Sequence, residues 1–320
     1  MPERGPRDQF DPRRPEVSPQ KELVALTNIA IEAAAKSGKI VYDIFHGIPL
    51  EKLNVEYKED ATPRTIADIE GDHAIVAVIR QARPQDEILI EESGYHQGLQ
   101  KTGDPTKPHN RWYADSLDGT RPFVEGKPES TVGVMVCDEN NDYLAAAIVH
   151  PHRKKVFYAA RGQGAFVQDL DINFNPIGEP KQLHVSKKES FTNATISIDS
   201  LFTKNNRRQK HAAMMTIENL SQDSNGNITV SYDELGSNIA YQADVALGVS
   251  LFGLTDAVGG PWDWRVGEAI ITEAGGIMLD PLSGEKPTDK SEIVIYGNET
   301  VVNQALPLLQ GCYKGYTGFK

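Results

Sequence analysis

Apolar residues recur at helical spacing from Leu23 to Ile44, through Leu26, Ala30, Ala33, Ala34, Ile40 and Val41. Ser18 and Pro19 open that run as a capping hydroxyl and a first-turn proline, and His46-Gly47 closes it, which predicts one long amphipathic helix. His46 is expected to meet the last carbonyls of that helix. A second helix starts at Thr65 or Asp68 and runs through Ile69, Ala74, Ile75, Val78 and Ile79. Glu87–Ile90 reads as a short strand ending on Glu91 and Glu92, and 95–110 as a mobile polar loop. Arg111 to Tyr113 reads as another strand, ended by Asp115, with Ser116 to Gly119 as a turn. Thr131–Cys137, Tyr143–His150 and 155–159 predict an antiparallel meander, with His150 and His152 on a surface turn and Gly162 to Phe166 closing it.

The pattern changes near 178–188. Strands are expected at Thr195–Ile198, 228–232, 256–258, 276–279 and 292–296. Helices are expected at about 206–220, 238–247 and 263–274, and from Glu299. Strands alternating with helices point to layered α/β architecture. The expected organisation is a disordered tail over 1–17, an α+β domain with an antiparallel sheet over 18–185, and an α/β domain over 186–320.

The 320 residues carry a net charge of −12, with 39% hydrophobic and 24% charged residues. That leaves material for a sizeable core and argues against nucleic acid or an anionic membrane as the main partner. The two cysteines, Cys137 and Cys312, suggest neither a disulfide framework nor a zinc site. With no secretory signal and no membrane-length apolar run, the cytoplasm is the expected compartment.

The chemistry concentrates in RWYADSLDGTRPFVEG, residues 111–126. Asp115 and Asp118 stand three apart, followed by Gly119 and Thr120. Taken alone this is an ordinary acidic turn as readily as a ligand set. Glu91 follows a strand, however, and Asp263 opens a helix, so four acids sit at element junctions. A two-metal phosphoryl-transfer site needs such carboxylates to hold ions roughly 3.5–4 Å apart. Thr120 paired with an acid such as Asp68 would orient the water, and the Gly119 and Thr120 amides would hold phosphate. A phosphatase with an aspartyl nucleophile of the haloacid dehalogenase type has its two aspartates separated by one residue; here there are two, which disfavours it.

The sequence resembles the inositol monophosphatase superfamily in Thr65-Ile66-Ala67-Asp68, Glu91-Glu92-Ser93, Trp112 to Thr120, Trp262-Asp263 and Glu273-Ala274-Gly275-Gly276. The glycine turn at Arg161 to Phe166 and Gly236-Ser237 also look familiar. The resemblance implies a layered α-β-α-β-α sandwich and Mg²⁺-dependent phosphomonoester hydrolysis, often inhibited by lithium. It implies two or three Mg²⁺ ions held by Glu91, Asp115, the Leu117 carbonyl, Asp118 and Asp263, with Glu92 behind them. Thr120 with Asp68 would orient the attacking water, and Asp60 is a second candidate for that partner. Asp118, Gly119, Thr120, Gly236 and Ser237 would contact phosphate or substrate. A small phosphorylated metabolite and a homodimer are the implied partners.

Three departures qualify it. Ser116 stands where the family usually has proline, Trp264-Arg265-Val266 replaces smaller residues, and 257–261 looks short of the acid that touches a polyol. The last points away from inositol itself, leaving bisphosphate nucleotidase-like or histidinol phosphatase-like activity as alternatives. A non-catalytic metal- or phosphate-binding regulator is the alternative of another class.

Overall fold

The structure, a computed structural model, describes residues 19–59, 61–99, 110–198, 207–233, 235–257 and 259–314. The tail expected over 1–17, Asp60, and positions 100–109 of the expected loop lie outside the described residues.

The chain opens with α1 (Pro19–Gly47), the hairpin β1 (Glu56–Tyr57) and β2 (Pro63–Arg64), and α2 (Ile66–Ala82). Next come β3 (Glu87–Ile90), β4 (Gly94–His96), β5 (Arg111–Asp118) and the short α3 (Thr120–Val124). A meander follows in β6 (Thr131–Cys137), β7 (Tyr143–His150), β8 (Lys155–Ala160), β9 (Gly164–Leu170) and β10 (Pro176–Gln182). The remainder runs β11 (Thr195–Ile198), α4 (Arg207–Leu220), β12 (Ser231–Asp233), α5 (Asn238–Ala246) and β13 (Phe252–Asp256). It ends with α6 (Trp262–Glu273), β14 (Ile277–Leu279), β15 (Ile293–Gly297) and α7 (Glu299–Cys312).

Eight strands form one sheet in the order β10-β9-β8-β7-β6-β5-β3-β4, antiparallel except where β3 meets β5. Five form a second sheet, β12-β11-β13-β15-β14. Helices α1 and α2 cover one face of the large sheet. Helices α5 and α6 lie between the two sheets, and α4 and α7 pack together beyond the second. The result is the five-layered α-β-α-β-α arrangement.

Residues of the central strands feed two cores in alternation. Trp112, Ala114, Val134 and Val136 pack with Leu26, Ala30 and Ile75 of α1 and α2. Tyr113, Met135 and Cys137 point the other way, into a core with Tyr241, Trp264 and Ile270 of α5 and α6. Strands covered on both faces read as unbroken apolar runs, as these do.

Several expectations are corrected. β5 does not end at Asp115 but continues to Asp118. β13 lies at Phe252–Asp256 rather than 256–258; Gly253 interrupts its apolar pattern because a Cβ there would strike the Tyr296 ring of β15 at 2.1 Å. Gly178 and Pro180 masked β10, an edge strand, where such residues are tolerated. β4 occupies the start of the expected loop. His150 is only 1% exposed, because the turn after β7 is covered by α1: His152 packs on Tyr42, Phe45 and His46. No described helix is long and apolar enough to cross a membrane.

Candidate active site

Asp115 and Asp118 should face opposite sides of a regular strand, because side chains alternate. Here Asp115 pairs with Gly133 and Asp118 with Thr131, so three steps on β5 match two on β6. The extra residue is a bulge, and it returns both carboxylates to one side. Asp115 helps to hold it, accepting the Leu117 amide at 2.9 Å.

Asp263 joins them from the first turn of α6, where its Oδ2 accepts the amides of Gly259 (3.0 Å) and Gly260 (3.2 Å). Oxygen atoms of Asp115, Asp118 and Asp263 all lie within 4.8 Å of one another. Burial drives the Asp115 carboxyl well above the usual range, and the charges of Glu91, Asp118 and Asp263 push it further. Asp263 is raised by burial, then by Glu91 and Asp118, against the pull of the two glycine amides. Three buried, mutually repelling carboxylates with oxygens converging on one point form a donor set suited to a hard divalent cation.

Asp118 is fixed by the second half of the chain. Its Oδ2 accepts Ser237 Oγ at 2.5 Å and the Ile239 amide at 2.7 Å. Ser237 Oγ in turn lies 2.9 Å from Thr131 Oγ1 and accepts the Ala240 amide, capping α5. Its one proton is spent on Asp118, so the hydroxyl holds that carboxylate. The Gly236-Ser237 turn also closes on Gly119, which has φ +90°; a Cβ there would sit 3.1 Å from Ser237 Cβ and 3.3 Å from the Gly236 carbonyl. Glycine is required at 119 by both conformation and space.

Beside this group, Thr120 Oγ1 is 2.9 Å from Asp68 Oδ1 and 3.1 Å from the Leu117 carbonyl. Asp68 is held in a capping box at the start of α2: its Oδ2 accepts both the amide and the hydroxyl of Thr65 at 2.7 Å. Only Oδ1 remains for Thr120. Burial pushes the Asp68 carboxyl up to about 6 despite these hydrogen bonds.

Glu91 is oriented differently. Its Oε1 lies 2.8 Å from Lys58 Nζ, and it does not join the three-carboxylate group. Its charge nevertheless reaches Asp68, Asp115 and Asp263. Glu92 also pairs with Lys58, and burial pushes it up to about 7.

Two participants escaped the sequence reading. Lys58 stood in a stretch singled out for its acid and proline. Asp72 accepts the Ser93 amide (2.8 Å) and hydroxyl (2.9 Å), tying the turn after Glu91 to α2. Its position four residues after Asp68, on the same helix face, was the available signal.

The family model described as the inositol monophosphatase family matches residues 22–310. A Pasteurella multocida protein named Nus factor SuhB is 27% identical over 287 residues, 90% of this chain and 96% of that one. A Rhizobium meliloti inositol-1-monophosphatase is 26% identical, covering 89% and 96%. Among solved structures, the extragenic suppressor protein suhB of Bartonella henselae superimposes with a TM-score of 0.73 at 22% identity, over 89% of this chain and 98% of that one. A Thermotoga maritima IMPase does so at 0.68 and 24%, over 90% and 98%. The two structures share the fold.

Proposed function

The chain belongs to the inositol monophosphatase family, and from that premise we propose that it is a Mg²⁺-dependent phosphomonoesterase acting on a small phosphorylated metabolite. The observation that carries this reading is the Thr120–Asp68 pair beside the Asp115, Asp118 and Asp263 carboxylates. Divalent cations held by these carboxylates and the Leu117 carbonyl, with Glu91 recruited, would supply Lewis acidity and offset charge on the phosphoryl group.

The chain's own groups do the rest. Asp68 holds the Thr120 hydroxyl in a fixed direction, and Thr120 orients the attacking water in line with the leaving oxygen. The water proton passes towards Thr120 as the hydroxyl proton moves to Asp68 Oδ1, a base whose raised affinity for protons suits that task. The Gly119 and Thr120 amides bind phosphoryl oxygens where β5 gives way to α3. Ser237 and Ile239 keep Asp118 aimed while the charge develops. Asp60 is the alternative partner for Thr120.

The family resemblance further supports lithium sensitivity, a homodimer and a cytoplasmic setting. The substrate is tested by measuring phosphate release from inositol phosphate, a bisphosphorylated nucleotide, histidinol phosphate and a sugar bisphosphate, with and without Mg²⁺. Release from one of them, suppressed by lithium, supports the proposal; silence across the panel overturns it.

The relatives named Nus factor SuhB favour a second reading, a non-catalytic role exerted through a protein partner. A variant that releases no phosphate yet restores the function of a deletion strain would select it.

A further inference from the structure

Lys58 lies at the tip of the β1–β2 hairpin. The tip is closed by two backbone hydrogen bonds: the Lys58 amide donates to the Thr62 carbonyl at 2.9 Å, and the Ala61 amide to the Lys58 carbonyl at 2.9 Å. Ala61 takes a φ of +65° to make the turn. The Lys58 side chain therefore leaves from a defined point and spans to the turn after β3. Its ammonium contacts Glu91 Oε1 at 2.8 Å and Glu92 Oε1. Arg64, on the opposite strand, is bonded to Glu56 and reaches Glu92 only at 3.8 Å.

This arrangement separates the four acids. Asp115, Asp118 and Asp263 converge, while Glu91, whose charge reaches Asp115 and Asp263, is turned to an ammonium instead. An ammonium and a divalent cation are alternative counter-ions for one carboxylate oxygen, and they repel each other at close range. Glu92, with its side chain 7% exposed, offers the ammonium a second partner adjacent to the first.

We propose that Lys58 is a built-in counter-ion that competes with divalent cations for Glu91: cation binding at the carboxylate centre requires the ammonium to release Glu91 and fall back on Glu92. The inference rests on the reading of that centre given above. Lys58 thereby holds the metal-free site together and sets its divalent affinity below what four acids alone would give. It is a positioning residue, and its effect belongs to cation uptake.

The test is direct Mn²⁺ binding, followed by calorimetric titration and by loss of the free-ion paramagnetic resonance signal, in the full chain. Lys58→Met should tighten binding about five-fold or more, because a unit charge facing the ion is removed. Lys58→Gln should do the same, and Lys58→Arg should stay within about two-fold of wild type. Arg64→Met, which removes a charge near Glu92 but none from Glu91, should shift binding much less. Unchanged or weaker binding in both neutral Lys58 variants overturns the competition, as does equal tightening by Arg64→Met. Asp118→Asn separates this failure from that of the centre itself. If Asp118→Asn loses uptake while Lys58→Met matches wild type, only the competition falls. If Asp118→Asn and wild type bind alike, both readings fall.

Discussion

Thr120 and Asp68 meet at 2.9 Å although 52 positions separate them. The contact joins the end of β5 to the capping box of α2, and each partner is held independently. Thr120→Ala is therefore expected to lower kcat by about two to four orders of magnitude, the usual worth of a positioned proton acceptor. Divalent affinity and melting temperature should change little, and Thr120→Ser should keep most of the activity. Steady-state phosphate release beside thermal denaturation checks both statements.

Ser237 is buried and bonded to Asp118 Oδ2. Ser237→Ala removes this hydroxyl and leaves the Ile239 amide on Asp118 Oδ2. Divalent binding should weaken about ten- to a hundred-fold, as when groups that orient metal ligands are lost. The missing cap of α5 should cost about 1 kcal/mol. Calorimetric Mn²⁺ titration reads the first effect, and urea denaturation the second.

The pH dependence that the raised carboxylates give the metal-free protein has a definite sign. Asp68 is raised to about 6 and Glu92 to about 7, and Asp115 and Asp263 lie well above their usual range. Raised carboxylates bind protons more tightly folded than unfolded. Their stabilisation is present in full below the unfolded values and is lost as pH rises through the folded ones. Burial lowers His150 to about 3 and His152 to about 4, which acts in the opposite sense until the ordinary imidazole range is passed. In EDTA, melting temperature should therefore fall as pH rises from about 7 to about 8, where the histidines have finished titrating and the raised carboxylates have not. Mg²⁺, which binds the ionised forms, should restore more stability at pH 8 than at pH 5. A metal-free protein that gains stability across that interval would contradict the assignment.

Arg265 is 2% exposed and held on several sides. Its guanidinium bonds Asp289 Oδ1 at 2.8 and 2.6 Å and the Asn141 carbonyl at 3.1 Å, and lies over the Tyr113 and Trp264 rings. It ties α6 to the large sheet. Arg265→Gln should destabilise the protein by about 1–3 kcal/mol, because the Asn141 carbonyl and the buried Glu268 carboxylate, 3.7 Å away, lose their cation, whereas Asp289 is open to water. Phosphate release per folded molecule should persist, as a thermal shift paired with active-site titration would reveal.

The carboxylate pair and the glycine-threonine step were legible because they are contiguous, and Trp262-Asp263 because a breaker precedes it. The bulge between Asp115 and Asp118 was not, since it exists only in the register against Gly133 and Thr131. For the same reason the strand appeared to end at Asp115. The burial of His150 was hidden because its cover comes from α1, a hundred positions earlier in roughly counted sequence. The resemblance implies Ser237 at phosphate or substrate; its bond to Asp118, from the other half of the chain, exists only in the fold. Lys58 and Asp72 each act on the turn after β3; the spacing of Asp72 from Asp68 puts both on one helix face, but no local pattern names the partner of either.

The central claim is that Asp115, Asp118 and Asp263 jointly hold the cation that hydrolysis needs. The most direct measurement is phosphate release at saturating Mg²⁺ by wild type and Asp263→Asn, with circular dichroism confirming that both are folded. The account predicts turnover by wild type that EDTA abolishes, and none by the variant at any Mg²⁺ concentration. Near-normal turnover by folded Asp263→Asn would contradict it.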